Sequence, residues 1–215
     1  MSSLIDPLVA LTFVPAVTAV VISPGPDSVY ALTQSLNRDR TAGIAAATGT
    51  ATGILIHSAA AILGLSALLR TTAEAYALLK YAGAAYLIYL GIRLLRDDEG
   101  FSTQGHVGDE GHSFIVSYRK AVTINVTNPQ VAVFVFAFFP QFVPSTTNAA
   151  LQLSFLGLVY AGLSFLYLVG VALLADRIRP FLFDSTATRR AVRYASGSVL
   201  VGFGLKLIFD KGQDL

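Results

Sequence analysis

Six apolar runs, each near or above the roughly 20 residues a helix needs to cross a bilayer, occupy 8–33, 42–69, 73–95, 115–139, 150–175 and 191–209. The breaks between them are polar or charged: Asn37-Arg38-Asp39-Arg40, Arg70-Thr71-Thr72, Arg96 to Ser113, Pro140 to Asn148 and Asp176 to Arg190. The runs are continuously apolar rather than alternating, which favours helices over a β-barrel. Composition agrees. Hydrophobic residues make up 54% and charged residues 13%, against a usual soluble share of roughly 25% charged. An ordinary soluble enzyme and a disordered chain are excluded. With no cysteine, a disulfide scaffold and a Cys-based zinc site are excluded too. A net charge of +2 is too small to point to nucleic acid.

The placement of the fifteen Lys and Arg residues sets an expected orientation. Eleven follow spans one, three and five: Arg38, Arg40, Arg93, Arg96, Arg119, Lys120, Arg177, Arg179, Arg189, Arg190 and Arg193. Three lie on the opposite side (Arg70, Lys206 and Lys211), and only Lys80 falls well inside a span. Basic short loops stay cytoplasmic, so both termini are expected to face away from the cytoplasm. The N-terminal Met1-Ser2-Ser3-Leu4-Ile5-Asp6 has no positive region, so the first span is expected to be retained. The segment 97–113 is the one long polar stretch and should be a cytoplasmic linker. It carries Asp97, Asp98, Glu99, Asp109 and Glu110 with His106 and His112, but the spacing fits no recognised ligand motif, and it reads as a solvated acidic loop rather than a metal site.

The chain divides into halves, 1–96 and 114–215, within a single domain of 1–215. Residues 80–95 and 193–208 correspond at a shift of 113: Tyr81, Ala82, Gly91 and Leu94 recur as Tyr194, Ala195, Gly204 and Leu207. The first and fourth spans correspond more loosely through Pro24-Gly25-Pro26-Asp27 and Asn128-Pro129-Gln130. Three spans per half is an odd number, so the second half should be upside down relative to the first. Inverted repeats with a discontinuous helix in each half are a common architecture of secondary transporters. The expected fold is therefore an all-α integral membrane protein with six transmembrane helices in two inverted three-helix repeats, the first helix of each broken at Pro or Gly.

Proline has no N–H, and its ring clashes with the carbonyl four residues earlier. Pro24 and Pro26 should free the carbonyls of Val20 and Ile22, and Pro129 that of Asn125. Gly25 lets the chain bend. Unpaired backbone groups cost several kcal/mol in hydrocarbon, so both breaks belong in the interior, around a polar cavity suited to a zwitterion or an ion. Asp27 opens the second half of the first helix. A helix N-terminus favours the ionised carboxylate and burial the protonated one, a balance suited to proton coupling or to binding an amine; the other reading is a simple N-terminal cap. Gly49, Gly53 and His57 fall at i, i+4 and i+8 on one face, with Gly64 seven residues on. These glycines are expected to permit close helix packing. His57 reads as a hydrogen-bonded structural histidine or as a proton or substrate contact. Lys80, about 12 Å into its span at 1.5 Å per residue, either snorkels to the surface or pairs with Asp27. Tyr81, Tyr86 and Tyr89 read mostly as packing or interfacial anchors.

These residues resemble the LysE/RhtB family of amino-acid exporters almost end to end. The similarity is carried by Ile22-Ser23-Pro24-Gly25-Pro26-Asp27, Arg40-Thr41-Ala42-Gly43, Gly49 to Gly53, His57, Gly64-Leu65, Lys80-Tyr81-Ala82-Gly83-Ala84-Ala85-Tyr86-Leu87, Asn128-Pro129 and Phe139-Pro140-Gln141-Phe142. The resemblance implies a six-span plasma-membrane protein that exports amino acids or close derivatives, driven by a proton or ion gradient. The family commonly has Lys after Asn-Pro, whereas this chain has Gln130, so no Lys stands at that position to neutralise Asp27. The expectation is a secondary exporter, not an enzyme, working by alternating access on a small zwitterion and a coupling proton. No cofactor or metal is implied. An exporter of another cargo, such as a cation or metal ion, is the alternative. Small-residue faces would also allow a homodimer.

Overall fold

The computed structural model describes residues 7–23, 25–68, 73–96, 113–143, 149–179 and 185–209. Among these every regular element is helical: α1 (Pro7–Ile22), α2 (Pro26–Asn37), α3 (Arg40–Leu68), α4 (Ala73–Arg96), α5 (Phe114–Val126), α6 (Pro129–Val133), α7 (Ala149–Leu173), α8 (Ala175–Arg179) and α9 (Thr186–Phe209). Between α6 and α7 the chain passes through a π-helical turn, Phe134–Phe138, and a 3₁₀ turn, Phe139–Phe142. Pro24 and 97–112, almost all of the acidic linker with both of its histidines, lie outside the described residues.

Both helix breaks fall where proline dictates. Pro26 and Pro129 occupy the first turn of α2 and α6, where a missing N–H costs nothing. The residues before them, Gly25 and Asn128, are held extended, as the proline ring requires. Asn128 caps α6 by accepting a hydrogen bond from the Gln130 N–H at 3.0 Å through its side-chain oxygen. The two breaks share a backbone pattern: Val29 N–H donates to the Gly25 carbonyl at 3.1 Å, and Ala132 N–H to the Asn128 carbonyl at 3.2 Å. Beyond the second break the chain bends by 56°. The π turn has a local cause as well, because Pro140 cannot donate to the carbonyl four residues back and the α-helical register is abandoned just before it.

By length and composition, 40–64 within α3 and the whole of α7 could each cross a membrane, and α5 with Pro129–Phe142 adds a third if that bent pair is a single span. Residues 13–22 of α1 form a shorter apolar helix. Large side chains point outward where water would not favour them. Leu63 is 77% exposed, Leu78 74% and Leu166 68%, and such a surface is stable only against lipid or another apolar partner. Tyr81 and Tyr89 also face outward.

Small residues bring the helices together. A Cβ added at Gly49 would run into the Tyr118 carbonyl oxygen and lie 2.7 Å from the Ala121 Cβ, and one at Gly53 would lie 2.5 Å from Asn125 Oδ1. The Gly49-to-Gly53 face thus seats α3 directly on α5. Gly64 does not belong to this contact, contrary to expectation: a Cβ there would meet nothing within 4 Å. It keeps the helical phase, but α5 ends at Val126 and the chain bends at the break, and nothing among the described residues lies within 4 Å of a Cβ at Gly64. The α4–α9 contact is equally close. A Cβ at Gly91 would lie 2.7 Å from both the Gly197 carbonyl oxygen and Val201, and one at Gly204 would lie 2.9 Å from the Ala84 carbonyl oxygen and 2.5 Å from Ile88. Under the sequence shift of 113, Ala84, Ile88 and Gly91 become Gly197, Val201 and Gly204. The contact therefore maps onto itself.

The two glycine environments give a direct comparison. Gly49→Leu should destabilise the detergent-solubilised protein by about 1–3 kcal/mol or more through overpacking, whereas Gly64→Leu should lie within about 0.5 kcal/mol of the parent. Thermal unfolding of both variants measures this, and equal effects would remove the close α3–α5 seam.

Candidate functional site

The two breaks meet at Asp27. Its position in the first turn of α2 points the carboxylate across to α5 and to the second break. Thr50 Oγ1 donates to Oδ1 at 3.3 Å. Asn125 Nδ2 lies 3.2 Å from each carboxylate oxygen, and Asn128 Nδ2 donates to Oδ2 at a longer 3.5 Å. These donors are all neutral, and they come from α3, α5 and the break itself. A carboxylate is only an acceptor when ionised, so this ring of donors matches its charged form.

Asn125 links the carboxylate to the histidine. Pro129 cannot donate to the Asn125 carbonyl; Asn128 N–H reaches that oxygen at 3.0 Å instead, and His57 Nε2 lies 3.2 Å from it. A carbonyl has no proton to give, so Nε2 must be the protonated ring nitrogen in this contact. His57 is thus placed to satisfy a carbonyl that the proline released. It is 7% exposed and stands behind Asn125.

A cavity of about 30 Å³ opens beside Asp27, bounded by Ser23 and Gly25 from the first break and by Asn125, Asn128 and Gln130 from the second. Val20 also lines it, as do Tyr160 and Ser164 from α7. One water needs roughly 10–15 Å³ on this measure, so the space holds about two waters. Two buried oxygens in its wall, Ser23 Oγ and Asn125 Oδ1, have no hydrogen-bond partner. The Asn125 oxygen is turned to Gly53, whose missing side chain makes room for it.

The expected residues divide clearly. Asp27, Gly25, Val20, Asn125, Asn128 and Gln130 come together around the cavity. Pro26 and Pro129 shape the breaks from exposed positions, and Ile22 turns its side chain outward at 42% exposure. Lys80 is buried on α4 at 9% exposure and does not line the cavity, and the hydrogen bonds described for Asp27 come from Thr50 and the two asparagines rather than from it. Sequence reasoning passed over Thr50, Tyr160 and Ser164. Signals for them existed: Thr50 and His57 are seven apart on one helix face, and Tyr160 and Ser164 are a polar i, i+4 pair in an otherwise apolar run. Among the described residues no group of His, Asp and Glu could hold a metal ion.

Two further groups of contacts join the elements that carry the cavity. Towards the side expected to be cytoplasmic, Ser117 Oγ of α5 donates to Gln34 Oε1 of α2 at 3.0 Å, with both residues buried. Tyr30 OH donates to the Ser117 carbonyl at 3.4 Å. On the other side the aromatic rings of Phe13, Phe138, Phe139 and Phe142 pack at centroid distances of 4.7–6.1 Å, and Phe134 joins them to Tyr160 at 5.3 Å.

Comparison with known proteins gives a consistent picture. The family model of LysE type translocators matches residues 18–211. The chain is 33% identical to an uncharacterised membrane protein of Pseudomonas aeruginosa, over 91% of this chain and 93% of that one. It is 31% identical to the homoserine/homoserine lactone efflux protein of Salmonella typhimurium, over 88% and 91% of the two chains. It is 26% identical to the leucine efflux protein of an Enterobacter species, over 91% and 93%. No solved structure matches the chain significantly. With nearly its whole length matched, the chain belongs to the LysE type translocator family.

Proposed function

We propose that this protein is a secondary exporter of amino acids or close derivatives across the plasma membrane, working by alternating access and proton antiport. The observation that carries the reading is the meeting of Asp27 with Asn125 and Asn128, one break from each half, at the wall of a polar cavity. The names of the efflux relatives support the cargo class. A cargo ammonium and a proton both neutralise Asp27, and either one displaces part of its ring of donors. Binding one therefore opposes binding the other at the same carboxylate, a competition that exchange requires. His57 supports the site by holding the Asn125 backbone in place.

The cavity as it stands is too small to hold cargo: about 30 Å³ is too little for an amino acid, so cargo enters only after one group of contacts opens. Opening the Gln34–Ser117–Tyr30 contacts would expose Asp27 to the cytoplasm; parting the phenylalanine stack would expose it outside. The α4–α9 seam, which maps onto itself under the sequence shift, and the shared hydrogen-bond pattern of the breaks support six spans in two inverted halves. An isologous contact of this kind is what a two-fold relation produces. Such halves can rock against one another about the site.

Two measurements test the reading. Asp27→Asn should abolish efflux driven by a pH gradient from amino-acid-loaded vesicles while leaving membrane expression unchanged; normal efflux would remove Asp27 from the mechanism. The chain has no cysteine of its own, so single cysteines report topology without background. Gln213→Cys should label in intact cells with an impermeant maleimide and Ser102→Cys only after lysis, whereas the reverse pattern would invert the proposed orientation.

A further inference from the structure

We infer that Thr50 is the positioning residue that lets Asp27 take and release a proton inside the bundle: its hydroxyl donates to the ionised carboxylate and accepts from the protonated acid. The inference rests on the proton-antiport reading above and deepens it.

Antiport at Asp27 needs both protonation states to be hydrogen-bonded away from bulk water, and most of the surrounding ring serves only one of them. An ionised carboxylate accepts, and Thr50 Oγ1, Asn125 Nδ2 and Asn128 Nδ2 donate to it. A protonated carboxyl carries an O–H of its own and needs an acceptor as well. An amide nitrogen only donates, so neither asparagine nitrogen serves that O–H. Asn125 Oδ1 is turned to Gly53, and Ser23 Oγ has no hydrogen-bond partner. Of the three residues that bond to the Asp27 carboxylate, Thr50 alone presents an oxygen to it, 3.3 Å from Oδ1.

The other hydroxyls of α3 show where the Thr50 proton goes when its oxygen accepts. Thr48 Oγ1 donates to the Ile44 carbonyl at 2.8 Å, Thr52 Oγ1 to the Thr48 carbonyl at 2.9 Å and Ser58 Oγ to the Ile54 carbonyl at 2.8 Å. Each reaches four residues back along its own helix, a bond open to Thr in its helical rotamers. Thr50, on the same helix and only 2% exposed, donates across to α2 instead. The carbonyl four residues behind it belongs to Ala46. Turning the hydroxyl about the Cβ–Oγ1 bond moves its donation from Asp27 to that carbonyl and points a lone pair at the acid. The protons balance. One arrives at Asp27 Oδ1 from the cavity, the Thr50 proton stays on Thr50, and neither hydroxyl lacks a partner in either state.

Other titratable groups stand differently. His57 of α3 faces Asp27 from behind Asn125, with Nε2 on a backbone carbonyl. Tyr160 of α7 faces it across the cavity, and Tyr167 pairs with the neighbouring Ser28. The remaining charges of the packed helices, Arg40 on α3, Arg119 and Lys120 on α5 and Asp176, Arg177 and Arg179 on α8, lie more than a turn along the chain from the residues that meet Asp27. The bonds described for the carboxylate come from none of these groups.

Three variants of the full chain test the inference. Thr50→Val and Thr50→Ala lose the hydroxyl, and Thr50→Ser keeps it; alanine stands in if valine fails to fold. In vesicles, Thr50→Val should lower efflux driven by a pH gradient by about tenfold, the effect of one hydrogen bond. Cargo-for-cargo exchange, which has no proton step, should stay near the parent rate, and Thr50→Ser should restore both. Difference infrared spectroscopy of the purified protein reads the bond itself, with Asp27→Asn identifying the band. The C=O stretch of protonated Asp27 should rise in Thr50→Val, where the acid loses its acceptor, and match the parent in Thr50→Ser. An unchanged stretch in the valine and alanine variants, or an equal fall in efflux and exchange, overturns the inference and leaves the exporter reading intact. So does the absence of any Asp27-dependent protonated band. Parent efflux indifferent to the pH gradient would instead sink the antiport reading, and the infrared shift would still decide whether Thr50 accepts from the acid.

Discussion

Backbone polar groups in hydrocarbon must find partners inside the protein, and prolines deny them those partners at two places in this chain. Much of the interior follows from that constraint. Pro129 cannot serve the Asn125 carbonyl, and that oxygen is met by His57 from α3 and by the Asn128 N–H. Asn125 itself is drawn to α3 so closely that only glycine fits opposite it. Its amide then faces Asp27, which heads the helix made by the other break. A histidine, a glycine, two asparagines and an aspartate are thus tied to a single missing N–H.

This dependence explains why one carboxylate can be kept in an apolar bundle without a close cation among its hydrogen-bond partners. Neutral donors meet the carboxyl group by direction rather than by opposite sign, as backbone and side-chain dipoles do in buried anion sites. Dipoles of this kind can be turned or withdrawn when the carboxylate is neutralised. A salt bridge would commit the group more firmly, because breaking one buried partner away leaves an uncompensated charge.

Much of this was legible in the residues. Prolines fix the breaks because their chemistry allows little else, and the Gly49-to-Gly53 spacing announced a close helix contact. The similarity of 80–95 to 193–208 was legible too, although it did not say that the two helices pack on each other through equivalent positions. Other features were not legible, for definite reasons. Gly64 keeps the right helical phase yet has no partner, because phase says which way a residue points and nothing about where the opposite helix ends. Thr50, Tyr160 and Ser164 are ordinary residues for a membrane helix, and what singles them out is the bend that brings α7 and α3 to the same space. The contact of Gln34 with Ser117 joins residues 83 apart in sequence, and no local pattern links them.

The π turn at Phe134–Phe138 carries a consequence of its own. Such a turn amounts to an α-helix with one surplus residue wedged into it. Each α-helical residue advances the azimuth by about 100°, so that surplus resets the heading of everything after it. Phe139 and Phe142 owe their inward heading, and their place against Phe13, to this phase slip. A shortening by one position in that stretch would swing both rings out of the stack while leaving its composition nearly untouched. The aromatic stack is therefore a matter of counting as much as of hydrophobicity.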